Sequence, residues 1–322
     1  MVIPDGALDY VPFAALQSGD TQAKSFVALE HDVAVTPAAW MVETRQSRAA
    51  LPHRRKILLV ADPVYQADDP RLTALRSSVP AQAAGYRAPD PTTQGDFHRL
   101  LFTAEEAARI AAEFPPGDVD ELTGLGATRE RLLARDWSQY RFIHIATHGV
   151  VDAQLPALSA LILGSYDDRG AVSDTSVRVA DLSLQTLRAE VVVLSACETA
   201  LGAEVRSEGL VGLSSTMLAR GARAVVASLW PVPDEAGSRL MTQFYQHMLH
   251  DSMSPEAALG AAMRSMAQEP SADPALWAAF QVSVAALRPQ PADHRPASLK
   301  VAATARASES VPATPNAHPD PR

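Results

Sequence analysis

Apolar residues in this chain fall in short, nearly unbroken runs rather than in alternation. Lys56–Ala61, Arg141–Thr147, Ala160–Leu163, Glu190–Ser195 and Arg223–Leu229 are such runs, rich in β-branched residues. That pattern predicts strands covered on both faces, as in parallel sheets. Helical patterns lie between them. Thr103–Phe114 opens with a capping-like Thr-Ala-Glu-Glu, and Thr128–Ala134 is shorter. Glu208–Arg220 stops before Gly221, a C′ glycine by position. Asp234–Leu249 and Pro255–Gln268 follow, each opened by a cap-type residue or proline. Strands alternating with helices predict an α/β fold, a mostly parallel sheet with helices on both faces and right-handed connections. Trp277–Val284 reads as one more strand.

Two segments break the alternation. Gln66–Arg99 is polar and rich in Pro and Gly, and reads as a long surface loop. Arg288–Arg322 holds seven prolines and no aromatic residue, so it is expected to be a disordered tail. There is no internal repeat.

Composition narrows the function. The 322 residues are 47% hydrophobic and 20% charged, which is globular. A formal charge of −9 disfavours phosphate-backbone binding, so no nucleic acid is expected on this domain. A single cysteine rules out an internal disulfide and a Cys-rich zinc site. No apolar run reaches the roughly 18 residues of a membrane span. The opening Met-Val-Ile-Pro-Asp-Gly lacks the basic and apolar regions of a signal peptide, so the expected location is cytoplasmic, with no membrane partner.

Reactive groups in an open α/β sheet gather at the carboxyl ends of strands. Arg141–Thr147 delivers His148 and Gly149 there, and the run from Glu190 delivers Cys197. If the two strands are neighbours, imidazole and thiol can meet, and the base supplies the thiolate that a free thiol provides only sparingly at neutral pH. Gly149 has no Cβ, so its N–H can approach a developing oxyanion. The bland alternative is that Cys197 is a small buried residue. His144 lies inside its strand, where a core histidine is the expected role. Gly124-Leu125-Gly126 lacks the third glycine of a dinucleotide loop, with Arg129 in its place, and reads as a turn before a Thr-capped helix. Gly212-Leu213-Ser214-Ser215-Thr216 is no nucleophile elbow, no phosphate-binding loop is present, and the nine histidines lack metal-ligand spacing.

Several strings, in order, resemble the CHAT domain family. They are Pro4-Asp5-Gly6-Ala7-Leu8 with Pro12-Phe13-Ala14-Ala15-Leu16, His144-Ile145-Ala146-Thr147-His148-Gly149, and Leu194-Ser195-Ala196-Cys197-Glu198-Thr199-Ala200-Leu201-Gly202. Glu208-Gly209, Ala219 to Arg223, Ser228 to Glu235, and Trp277-Ala278-Ala279-Phe280 continue the match, which covers about residues 2–287. The family is similar to caspases and separases. The resemblance therefore implies a caspase-like CHAT domain over residues 1–287, with His148 and Cys197 as the dyad of a cysteine endopeptidase. It implies Gly149 and Cys197 N–H groups as oxyanion donors, no metal or organic cofactor, and a protein or peptide substrate. Regulation within a signalling or defence assembly, through repeat-containing or regulatory partners, is implied too. A non-catalytic CHAT interaction module is the alternative. Family members usually carry helical repeats upstream, and this chain begins inside what reads as an early strand, so the domain's first elements are expected to be missing. By resemblance to separases, Asp234 would line a pocket for a basic P1 residue; it also stands where an N-cap is wanted.

Overall fold

The computed structural model describes residues 1–5, 8, 11–19, 25–37, 51–52, 55–78, 97–150, 155–195, 208–269 and 272–285. The Arg288–Arg322 tail lies outside them. All belong to one compact unit, Met1–Leu287.

An antiparallel pair, β1 (Gln17–Ser18) and β2 (Ser25–Phe26), and a helical turn, α1 (Val27–Glu30), precede a six-stranded sheet that forms the centre. In chain order its strands are β3 (Ile57–Ala61), β4 (Val119–Thr123), β5 (Phe142–Ala146), β9 (Val191–Leu194), β10 (Ala224–Ser228) and β11 (Phe280–Val284). In space the order is β11-β10-β9-β5-β3-β4. Five strands run parallel, and β11 closes one edge antiparallel. The four inner strands have no exposed position. That is why they read as unbroken apolar runs.

The pleat divides these strands between two cores. Leu59, Phe142, Val193 and Val226 face a layer made by α3 (Thr103–Ala112), α7 (Asp234–Leu249) and α8 (Pro255–Ala267). Leu58, Ile143, Val192 and Val225 face α4 (Arg129–Leu133), α5 (Val179–Ser183) and α6 (Glu208–Ala219). Each Val, Leu or Ile so buried contributes roughly 1.5–3 kcal/mol of transfer free energy. The α/β class expected from the sequence is the one observed.

Four elements differ from expectation. Ala160–Ile162 (β7) is a strand, but it joins β6 (His148–Val150) and β8 (Ser176–Arg178) in a separate antiparallel sheet. The polar Val-Asp-Glu-Leu-Thr of β4 forms the outer parallel edge, where half the pleat faces water. The long segment from Gln66 contains α2 (Pro70–Ser78), although residues 79–96 are not described. The late run from Trp277 is strand only from Phe280, because Asp273 caps a short helix, α9 (Pro274–Trp277), ahead of it.

Turn chemistry follows the residues. Gly124–Gly126 is a single 3-10 turn, and Thr128 accepts the Arg131 N–H to open α4. Gly221 follows α6 at φ +118°.

Candidate active site

The parallel strands share one carboxyl edge. β3 ends into Asp62, β5 into Thr147 and His148, β9 into Ser195, and β10 into the segment reaching Asp234. The β5–β9 pairing puts Ile145 opposite Leu194, and Ser195 N–H donates to the Ile145 carbonyl at 2.9 Å. At the other end Glu190 N–H donates to Arg141 O at 2.7 Å, and the Arg141 guanidinium bonds the Glu190 carboxylate at 2.6 Å. The register is thus pinned from both ends. His148 and Cys197 each stand three residues beyond the last paired residues, Ile145 and Leu194. Residues 196–207, Cys197 among them, lie outside the described residues.

His148 is 1% exposed. Its Nε2 lies 2.6 Å from the backbone carbonyl of His98. A carbonyl only accepts, so Nε2 carries a proton, and in the neutral form of the ring the lone pair is on Nδ1. Two rings fix the imidazole plane: Tyr65 at 4.9 Å between centroids and Phe97 at 5.2 Å.

Beneath the ring runs a one-way chain of donors. His148 N–H donates to the Tyr65 hydroxyl at 3.4 Å, Tyr65 lies 2.7 Å from Thr147 Oγ1, and Thr147 bonds the Ile162 carbonyl. With Thr147 donating to the carbonyl, Tyr65 donates to Thr147. Burial pushes the Tyr65 phenol well above its ordinary range, and the charges of Asp62 and Asp234 add to the effect. It stays a neutral hydroxyl at any physiological pH.

Gly149 is buried in β6 opposite Leu161, directly after His148. His144 is a core residue, as its place in the strand predicts. It is fully buried in β5, with Nε2 3.0 Å from Glu106 Oε1 and its ring against Tyr245.

A cleft of about 380 Å³ opens beside Ser195. Leu100, Val232 and Phe280 give it apolar walls, and Asp234 and Glu106 are its two charged residues. The N-cap reading of Asp234 is corrected here. Pro233 occupies the cap position of α7 and Asp234 is the first helical residue. Its Oδ2 instead accepts the N–H of Phe102, the N-cap residue of α3. Thr103, whose side chain was expected to cap that helix, faces the other way. Its Oγ1 accepts the Asp62 N–H at 3.1 Å and donates to Leu100 O at 2.9 Å.

Sequence reasoning missed the His98 carbonyl, Tyr65 and Glu106. A carbonyl has no sequence signature, and Tyr65 gave none beyond the end of an apolar run. Glu106 read only as the last residue of the capping-like Thr-Ala-Glu-Glu start, yet it is 1% exposed.

The family model for the CHAT domain matches residues 1–285. The chain belongs to the CHAT domain family. Curated relatives include tetratricopeptide repeat protein 28 of Mus musculus, 25% identical over 312 residues. That match covers 87% of this chain and 12% of the relative. The Homo sapiens protein of the same name is 27% identical over 215 residues, covering 56% of this chain and 8% of its own length. This CHAT chain thus spans about an eighth or less of those relatives. Among solved structures it is similar to the Arg specific cysteine proteinase gingipain R. There the identity is 9% and the TM-score 0.42, covering 75% of this chain and 49% of that one. No helix among the described residues is long and apolar enough to cross a membrane.

Proposed function

We propose that this CHAT domain is a cysteine endopeptidase working through His148 and Cys197. The observation that carries the reading is the His148 imidazole at the carboxyl end of β5, its Nε2 proton held by the His98 carbonyl, beside the strand that leads to Cys197. In this mechanism Nδ1 accepts the Cys197 proton as the sulfur attacks the scissile carbonyl carbon. The Gly149 and Cys197 N–H groups bond the oxyanion that forms. Nδ1–H then protonates the leaving amine, the C–N bond breaks, and a thioester remains on Cys197. A water molecule, deprotonated by Nδ1, attacks that thioester and releases the acid and the thiol. Metal and organic cofactor have no part in this scheme.

The cleft beside Ser195 is the proposed P1 pocket. The Asp234 carboxylate between apolar walls favours a guanidinium or ammonium through charge-assisted bonds. The proposed setting is cytoplasmic, where a lone thiol stays reduced, with repeat-containing proteins as regulatory partners.

The test is cleavage of a degenerate peptide library by the parent protein and by Cys197→Ala. The proposal expects cuts after Arg or Lys that vanish in the variant, while the melting temperature barely moves. Identical cleavage by both proteins would overturn it. The alternative, a non-catalytic interaction module, is favoured by the repeat-protein names of the relatives; it predicts no cleavage by either protein.

A further inference from the structure

Asp62 directly follows β3, at the edge that carries His148. It is 5% exposed, and its backbone takes φ +50°, a left-handed conformation that non-glycine residues rarely adopt. A buried carboxylate must be paired to persist, and this one is paired on every side. Oδ1 accepts Arg99 Nε at 2.8 Å, and Oδ2 accepts Arg99 Nη2 at 2.8 Å and Arg71 Nη1 at 2.6 Å. Arg71 also bonds the Asp62 carbonyl at 3.0 Å, and Arg71 is itself gripped through Nε and Nη2 by Asp69. The strained backbone is held from both ends of the residue, since its N–H is taken by Thr103.

The partner that matters is Arg99. It belongs to the 97–100 segment, which has no helix or strand pairing to hold it in place. Two parallel N–H···O bonds to one carboxylate fix a guanidinium in position and orientation. The residue before Arg99 is His98, whose carbonyl accepts the hydrogen bond from His148 Nε2–H. The residue before that is Phe97, whose ring lies on the imidazole. The carbonyl and the ring that His148 meets in this segment are therefore within two residues of the Arg99 anchor, and the His98 side chain is met by Gln66 Nε2 at 3.1 Å. Strain kept at such a place points to function.

We propose that Asp62 is a positioning residue for His148: by clamping Arg99 it holds the His98 carbonyl on Nε2 and so keeps the lone pair on Nδ1. This rests on His148 being the site's base. A base in the wrong tautomer cannot take the nucleophile's proton however well it is placed. Asp62 itself touches neither substrate nor the reacting atoms.

The experiment is ¹⁵N NMR of the full chain with labelled histidine, combined with alkylation of its single cysteine. The parent is expected to show His148 as one Nε2-protonated tautomer. Asp62→Asn keeps a residue that tolerates positive φ but removes the charge. Arg99→Met removes the anchored group from a partly exposed side chain, and carries the test if Asp62→Asn does not fold. Both are expected to show His148 averaged between tautomers, with Cys197 alkylation slowed about tenfold or more at neutral pH. Asp69→Asn, which loosens Arg71 but leaves Arg99 on Asp62, should keep the parent signature. Folded Arg99→Met with the parent's tautomer and alkylation rate would overturn the proposal, leaving Asp62 a purely structural role. A parent His148 protonated on Nδ1 would overturn it too. The tautomer is read without turnover, so failure here is distinct from failure of the peptidase reading, which the parent's own alkylation and cleavage report.

Discussion

Asp234 accepts the backbone N–H of Phe102 at 2.8 Å across 132 residues of sequence. One carboxylate oxygen thus ties the start of α7 to the start of α3, at the rim of the cleft. Asp234→Asn tests whether its charge also selects substrate. The asparagine oxygen can still accept the Phe102 N–H, so stability should fall by less than about 1 kcal/mol. Cleavage after Arg or Lys should fall roughly tenfold or more, since one charge-assisted contact is worth about 1.5–3 kcal/mol. Peptide kinetics with basic and apolar P1 residues check this. An unchanged preference would remove Asp234 from the pocket.

Much of this arrangement was legible in the residues. The runs at Ile57, Phe142, Val191 and Ala224 announced buried parallel strands, because both faces of each are covered. The placement of His148 at a strand end followed directly from where its run stops. β4 was missed because an edge strand with exposed Glu121 and Thr123 lacks an apolar run. Of the small sheet only β7 was legible as an apolar run; β6 and β8, three residues each and part polar, carry too little pattern. Asp234 was misread as a cap because sequence alone does not show that Pro233 takes that position. The Asp62–Arg99 clamp and the His98 carbonyl join residues 37 and 50 positions apart, and no local pattern encodes such a contact.

Asp69 carries an acid-dependent share of stability. Hydrogen bonds from the Arg71 side chain hold its carboxyl below the usual carboxylate range, with burial opposing them. The bonded anion therefore stabilises the fold above the unfolded-state value near 3.8, and the benefit is lost as pH falls through the lower folded-state value. Asp69→Asn still accepts the Arg71 N–H that opens α2. It should cost about 1–2 kcal/mol at neutral pH, with the gap to the parent closing below about pH 4. Urea unfolding across that range measures it. A gap independent of pH would mean that the charge contributes nothing.

Tyr65→Phe removes the acceptor of the His148 N–H while keeping the ring that packs on the imidazole. A buried N–H left without its acceptor costs about 1–3 kcal/mol. The ring contacts with His148 and Phe97 should survive. The expected result is a lower denaturation midpoint with Cys197 still reactive. Full stability would mean that the donor chain through Thr147 is not needed.

Gly221 is fixed by space as well as by its φ of +118°. A Cβ there would lie 2.1 Å from the Leu187 carbonyl oxygen. Gly221→Ala should therefore cost roughly 2–4 kcal/mol, more than the usual penalty for a positive φ alone. Chemical denaturation decides it. A loss below about 1 kcal/mol would show that the loop at Leu187 yields.

The central claim is that His148 activates Cys197, and the chain's single cysteine lets alkylation read that thiol alone. The measurement is the rate of Cys197 modification by iodoacetamide from about pH 5 to 9, in the parent and in His148→Ala. A free thiol with a pKa near 8.5 is almost wholly protonated at about pH 6. The account predicts rapid modification of the parent at about pH 6, slowed tenfold or more in His148→Ala. A parent rate that rises only near pH 8.5 and is unchanged in His148→Ala would contradict it.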